Sequence, residues 1–189
     1  MKSHAVISAE EDPVIDFVEY EPGGGLPRIA VTVRSANADD VAEIIRVQRS
    51  AGRREQDEDA FRHAISDADR LLVVAEPVDA SGATFVVGWA KTHHHTVVVD
   101  EAPAGHYLGG VTVDPAWRRR GVAAALTEAR MSWIAARADE AFYIVNVRNP
   151  ASIDLHRRWG FEEVLRAPGL MGGQFTGGVG LLLRAPLRG

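Results

Sequence analysis

Val111-Thr-Val-Asp-Pro-Ala-Trp-Arg-Arg-Arg-Gly-Val-Ala-Ala-Ala-Leu126 decides how this chain is read. A β-branched run ends at Asp114-Pro115, then come Arg118, Arg119, Arg120 and Gly121, and strong helix formers begin at Val122. That order describes a strand emptying through a tight basic turn into a helix start. Helix starts leave several backbone N–H groups without partners, and the aligned peptide dipoles place about half a positive charge there. Such a turn is an anion cradle, suited best to phosphate. Gly121 has no Cβ, so the backbone can approach a ligand closely at that point. The competing reading is a solvated basic turn, because strand–turn–helix junctions are common.

Spacing narrows the choice. Arg118-x-x-Gly121-x-Ala123, preceded by Val111-x-Val113-Asp114-Pro115, resembles the acetyl-coenzyme A motif of the GNAT superfamily of N-acetyltransferases. Neither Gly-x-x-x-x-Gly-Lys-Ser/Thr nor a helix-opening Gly-x-Gly-x-x-Gly occurs. A second segment, Asn149-Pro-Ala-Ser-Ile-Asp-Leu-His-Arg-Arg-Trp-Gly-Phe161, resembles the family's other motif and lies one strand downstream. Asn149, Ser152 and His156 are spaced to share one helix face. Alone, that stripe could be the wet side of an amphipathic helix opposite Leu155 and Trp159. Two motifs in the right order favour function.

The resemblance implies a fold and a site. The fold is α/β (α+β), a mixed, mostly antiparallel sheet of about seven strands flanked by about four helices. The backbone of Val111, Thr112 and Val113 would pair with the pantetheine arm of acetyl-coenzyme A. Amides of Arg119, Arg120, Gly121, Val122, Ala123 and Ala124 would hold the pyrophosphate, with Arg118 at the motif's first position. Asn149 and Ser152 would lie along the pantetheine, and Arg158 would reach the adenine end. In the family two strands splay to admit that arm; here they would be His106–Val113 and Phe142–Val147. His156 stands where the family most often has Tyr, whose hydroxyl is thought to protonate the departing thiolate. Imidazolium can also donate a proton, so His156 is the candidate general acid, or else a group that only positions the sulfur. The base is less defined: Glu101 is the nearest choice, beside a water chain that relies on no single residue. His106 and Tyr107 are weaker candidates.

Composition frames this. The chain has 189 residues with 46% hydrophobic and 25% charged, which suits one soluble domain with a real core. A net charge of −5 argues against general nucleic-acid binding, while the local arginines can steer an anionic cofactor. No cysteine is present, which removes a Cys-acyl intermediate and thiolate zinc. No apolar stretch reads as a membrane span or signal peptide, so a cytoplasmic location is expected.

Residues 1–28 read as an acidic appendage closing in a Gly23-Gly-Gly-Leu-Pro27 linker, and residues 29–189 as the acetyltransferase domain. Val14, Ile15, Phe17 and Val18 could add a strand or pack on a neighbour; disorder is the alternative. The remaining pattern predicts the order β-α-α-β-β-β-α-β-α-β-β. The helix after the motif is expected over about Arg119 to Ala138, with Val122, Leu126, Ala129, Trp133 and Ala136 on its apolar stripe. His93 and His95 face one way on a strand and could chelate, but no third ligand is evident, and no metal is expected. They read better as an acceptor-facing strand end. Gly169 to Gly180 and the Arg53–Asp59 segment are candidate borders of the acceptor site, or only solvated loops. The implied function is transfer of acetyl from acetyl-coenzyme A to a small-molecule amine or peptide by direct attack in a ternary complex. A non-catalytic coenzyme A sensor is the alternative, and similar proteins are often homodimers.

Overall fold

The structure is a computed structural model describing residues 26–53, 57–78, 84–175 and 177–187. The expectations for residues 1–25 and for the middle of the Arg53–Asp59 segment lie outside the described residues.

Strand β1 (Val31–Ser35) leads to Asn37, which caps a 3-10 turn through a reciprocal box with Asp40. Helix α1 (Val41–Ser50) follows, then α2 (Glu58–Ser66), β2 (Leu72–Pro77) and β3 (Gly88–His95). Next come β4 (Gly105–Val113), α3 (Val122–Ala135), β5 (Glu140–Asn146) and α4 (Pro150–Arg157). The chain closes with β6 (Glu162–Ala167), the short β7 (Gly169–Leu170) and β8 (Gly173–Gln174), and β9 (Gly180–Pro186). Seven strands form one sheet in the order β1-β2-β3-β4-β5-β9-β6, antiparallel throughout except for the β4–β5 pair. The long Gly-rich connection is more ordered than expected: β7 and β8 make a small hairpin that buries Leu170.

Period-two alternation gives this sheet two buried faces. Leu72, Val74 and Trp89 pack under Val41, Ile44, Val47 and Phe61 of α1 and α2. The intervening Val73 and Ala75 pack on the other face against Val122 and Leu126 of α3. Along the sheet, Leu108, Tyr143 and Val145 continue that second face beneath Met131 and Ile134, with Ile153 and Trp159 of the α4 region alongside. Tyr107, Phe142 and Leu182 point the opposite way, where Ala102 and the hairpin residue Leu170 cover them.

Helix α3 corrects the expected stripe. It starts at Val122 rather than Arg119, and Ala136 is exposed. The buried positions are Val122, Leu126, Thr127, Arg130, Met131 and Ile134. Arg130, though charged, is fully buried and spends its donors on Lys91 O, Gly109 O, Leu126 O and Thr127 Oγ1.

Candidate active site

The basic turn is built by backbone geometry. Asp114 accepts from Ala116 N and is also bonded by Arg46 Nη1 and Ser50 Oγ, which ties the turn to α1. Arg119 at φ +63° and Gly121 at φ +93° both occupy the left-handed region. Arg119 tolerates it at some cost; at Gly121 it suits the absence of a side chain. The first i→i−4 bond of α3 runs from Ala125 N to Gly121 O. The amides of Val122, Ala123 and Ala124 therefore precede the helical ladder and have no intrahelical acceptor. Arg120 Nε is buried with no hydrogen-bond partner among the described residues. Those donors fit an anion.

The side chains around the turn differ from one another. Arg118 Nε donates to Val113 O at 3.2 Å, so this arginine braces the strand end. Arg120, Gly121 and Ala124 line a cleft of about 480 Å³ together with Arg158 and Trp159. Trp159 Nε1 donates to Glu128 Oε2 at 2.7 Å, joining α3 to the end of α4 across that cleft. Arg28 is the further lining residue that the sequence reading missed. It lies in the segment taken for a linker, yet Leu26 N donates to Arg119 O and Ile29 N to Arg120 O. A Cβ on Gly121 would meet Arg28 Cγ at 3.6 Å. Only a basic residue directly after Gly-Gly-Gly-Leu-Pro could have hinted at this.

Beside the turn the sheet opens. Strands β4 and β5 pair only at Tyr107–Phe142 and Leu108–Tyr143, and part beyond those residues. Ala90 faces Val111 and Thr92 faces Leu108, which leaves Gly109 and Gly110 opposite Lys91 alone. That is a β-bulge at the point of divergence. Arg130 Nη1 bonds the carbonyls of both Lys91 and Gly109, at 3.3 and 3.0 Å, and so holds the bulge. Asp114 N donates to Val87 O on the β3 side. Strand alternation then turns the N–H groups of Val113 and Val111 towards the gap. Thr112 faces the α1 side, its hydroxyl 3.5 Å from Gln48 Oε1.

Helix α4 presents its polar stripe inward. Asn149 Oδ1 caps the helix by accepting from Ser152 N, and Pro150 occupies the first turn, where its missing N–H costs nothing. The Ser152 and Tyr143 hydroxyls are hydrogen-bonded to each other. His156 is 1% exposed and stacks on Tyr143, with ring centroids 4.0 Å apart. Its Nδ1 lies 2.7 Å from Ser152 O, and Nε2 is buried with no hydrogen-bond partner among the described residues. A carbonyl neighbour requires Nδ1 to carry the proton, so Nε2 holds a lone pair. Burial pushes the His156 imidazole down to about 4, and pushes the Tyr143 phenol up to about 12. That lowering weighs against the expectation of an imidazolium acid at His156.

Glu101 sits apart from these groups. It is exposed, at φ +63°, in the turn bridged by Val99 and Ala102. With Asp100 it lines a second cleft of about 420 Å³ against Ala167, Gly169, Gly172 and Gln174. Gly172 N donates to Asp100 Oδ2, so this turn anchors the β7–β8 hairpin. Of the weaker candidates, Tyr107 donates its hydroxyl to Pro103 O, and His106 is buried and stacked on His94. Among the described residues no group of three or more His, Asp or Glu is placed to hold a metal. No helix among the described residues is long and apolar enough to cross a membrane.

Known proteins share this architecture. The ribosomal-protein-S18-alanine N-acetyltransferase of Escherichia coli is 20% identical with a TM-score of 0.63, covering 85% of this chain and 96% of that one. NAA60 of Arabidopsis thaliana, solved in complex with acetyl-CoA, is 17% identical with a TM-score of 0.68, covering 85% and 100%. The yncA protein of Salmonella typhimurium, solved with its cofactor acetyl-CoA, is 20% identical with a TM-score of 0.63, covering 84% and 94%. A comparison with curated protein sequences finds no match. The acetyltransferase (GNAT) family profile matches residues 38–161, which span both motifs, the splayed strands and the bulge. The chain belongs to the acetyltransferase (GNAT) family.

Proposed function

We propose that this protein is an N-acetyltransferase that moves an acetyl group from acetyl-coenzyme A to a small-molecule amine or a peptide amine within a ternary complex. The observation that carries the reading is the parting of β4 and β5 directly beside a turn whose amides have no helical acceptor. The gap takes a linear thioester arm, and the turn takes the diphosphate at its end. Structural relatives bound to acetyl-CoA support the same choice of co-substrate.

In this assignment the amides of Arg119 to Ala124 and the Arg120 guanidinium hold the pyrophosphate. Arg158 and Arg28 neutralise the far end of the cofactor, while Asn149 and Ser152 border its arm. The N–H groups of Val111 and Val113 meet the arm and the thioester oxygen. A preorganised donor at that oxygen stabilises the charge that develops as the amine attacks. The chain has no cysteine to carry an acyl group, and in this assignment acetyl passes straight from sulfur to nitrogen. Because burial lowers the His156 imidazole, we assign the proton returned to the thiolate to the Tyr143–Ser152 hydroxyl pair, with His156 packed behind it. A phenol held near 12 stays protonated and remains a donor across the neutral range.

Free-thiol release from acetyl-coenzyme A, measured over a panel of free amino acids, polyamines and short peptides, tests this. Release that depends on an amine is the expected result. Tight coenzyme A binding with no amine-dependent release would make the protein a sensor instead.

A further inference from the structure

The acetyl-transfer reading leaves the amine's proton without a destination, and the side of the sheet facing α1 and α2 offers one. We propose that His93 is the catalytic base that takes the proton from the attacking amine. This rests on the acetyl-transfer reading above and adds a residue and a direction of approach to it.

Position is the first argument. A Cβ built on Gly109 would lie 2.9 Å from both Cδ2 and Nε2 of His93, so the imidazole rests on the bulge backbone itself. The same would-be atom would meet Lys91 Cγ at 2.9 Å, and Arg130 holds the Gly109 carbonyl. Gly109 is therefore a glycine because a ring occupies its side-chain space. That ring stands where β4 leaves β5, beside the strand amides assigned to the thioester.

The face is the second. His93 is opposite Tyr107 in the β3–β4 register, and Tyr107 points away from α3 and α4. The pyrophosphate turn feeds α3 on the far face. Cofactor and base thus reach the gap from opposite sides, which leaves the His93 side for an amine. The helices α1 and α2 pack on Leu72, Val74 and Trp89, and the β7–β8 hairpin packs on Tyr107 and Phe142. His93 is half-buried and, opposite Tyr107 in register, shares the face that these elements cover.

Chemistry is the third. Burial, with Lys91, Arg70 and His95 adding to it, lowers the His93 imidazole to about 4, so its lone pair is available throughout the neutral range. The amine lone pair forms the C–N bond, the carbonyl pair moves onto oxygen, and the nitrogen becomes an ammonium more acidic than that of the free amine. Its proton passes to the imidazole. The oxyanion then collapses, the C–S bond breaks with its pair on sulfur, and the thiolate is protonated. Amine and thioester give amide and thiol, and the imidazolium returns its proton to solvent. Two of the other titratable groups fit less well, since the Tyr107 hydroxyl is engaged by Pro103 O and Glu101 lies in the hairpin cleft, while Lys91 and His95 share the face with His93.

The test uses His93→Ala and the nearly isosteric His93→Gln in the full chain, with the best amine from the panel. Both variants should lose at least ~100-fold in kcat for amine-dependent thiol release, with coenzyme A affinity and Tm unchanged. Added imidazole should restore part of the rate to His93→Ala only. Full rate in either variant, a loss accompanied by weakened coenzyme A binding or lowered Tm, or no rescue by imidazole would each overturn the proposal. A wild-type chain that releases no thiol with any amine overturns the acetyl-transfer reading as well, so the two failures are told apart.

Discussion

The turn Arg118–Gly121 and the helix Pro150–Arg157 both look, in sequence, like polar stretches meeting one ligand, yet they are built in opposite ways. The turn offers its backbone: Arg119 and Gly121 are left-handed, the first amides of α3 have no intrahelical acceptor, and Arg118 Nε donates to Val113 O. Helix α4 instead offers side chains: buried His156 stacks on Tyr143 of β5, and half-buried Ser152 is hydrogen-bonded to the Tyr143 hydroxyl. Backbone donors tolerate changes of side chain but not of conformation. A buried polar network tolerates neither loss of a partner nor gain of a charge.

The largest effect should come from breaking the turn's conformation. Gly121→Glu forces a side chain into φ +93°, crowds Arg28 and adds a like charge to phosphate. Calorimetry should show coenzyme A affinity falling by roughly 100-fold or more, about 3 kcal/mol. Undiminished affinity would contradict the placement. Next comes the buried support that joins the two regions: Arg130→Met strips Lys91 O and Gly109 O of their donor. Urea unfolding should register a loss of about 3 kcal/mol, because unpaired buried carbonyls carry their full desolvation cost.

Within α4, the comparison sharpens into a pair of variants. Tyr143→Phe should lower kcat by roughly 10- to 100-fold, while His156→Phe should leave the pH profile of kcat unchanged between pH 6 and 9. A profile that moves in His156→Phe would restore the ring as the acid. The same histidine makes stability depend on pH. Its folded value of about 4 lies below the ordinary 6.5, so the unfolded chain binds the proton first. Stability is full above 6.5 and falls as pH drops towards 4, by at most ~3 kcal/mol from this group. Chemical denaturation across that range should show the slope in the wild type and a shallower one in His156→Phe. The smallest effect belongs to the cap: Asn149→Ala should cost about 1 kcal/mol of stability.

Much of this was legible beforehand, for identifiable reasons. Val111 to Leu126 carries local signals, strand, turn and helix start, so its geometry follows from neighbours in sequence. Asn37, Asn149-Pro150 and Gly160 likewise mark helix ends by short-range chemistry. What escaped depended on distant contacts. Arg130 sits at core spacing on α3 but reads as surface until the bulge supplies acceptors for it. Arg28 follows three glycines, which say linker, and only its packing on Gly121 says otherwise. The His156 ring invites its usual titration when read in sequence, whereas burial in the fold lowers it.

Backbone amides of the turn holding a diphosphate is the central claim, and an amide NMR titration with coenzyme A tests it most directly. The account predicts that the Gly121, Val122, Ala123 and Ala124 resonances shift most as binding saturates, and that coenzyme A lacking the pyrophosphate leaves them in place. Saturable binding with those four resonances unmoved would contradict it.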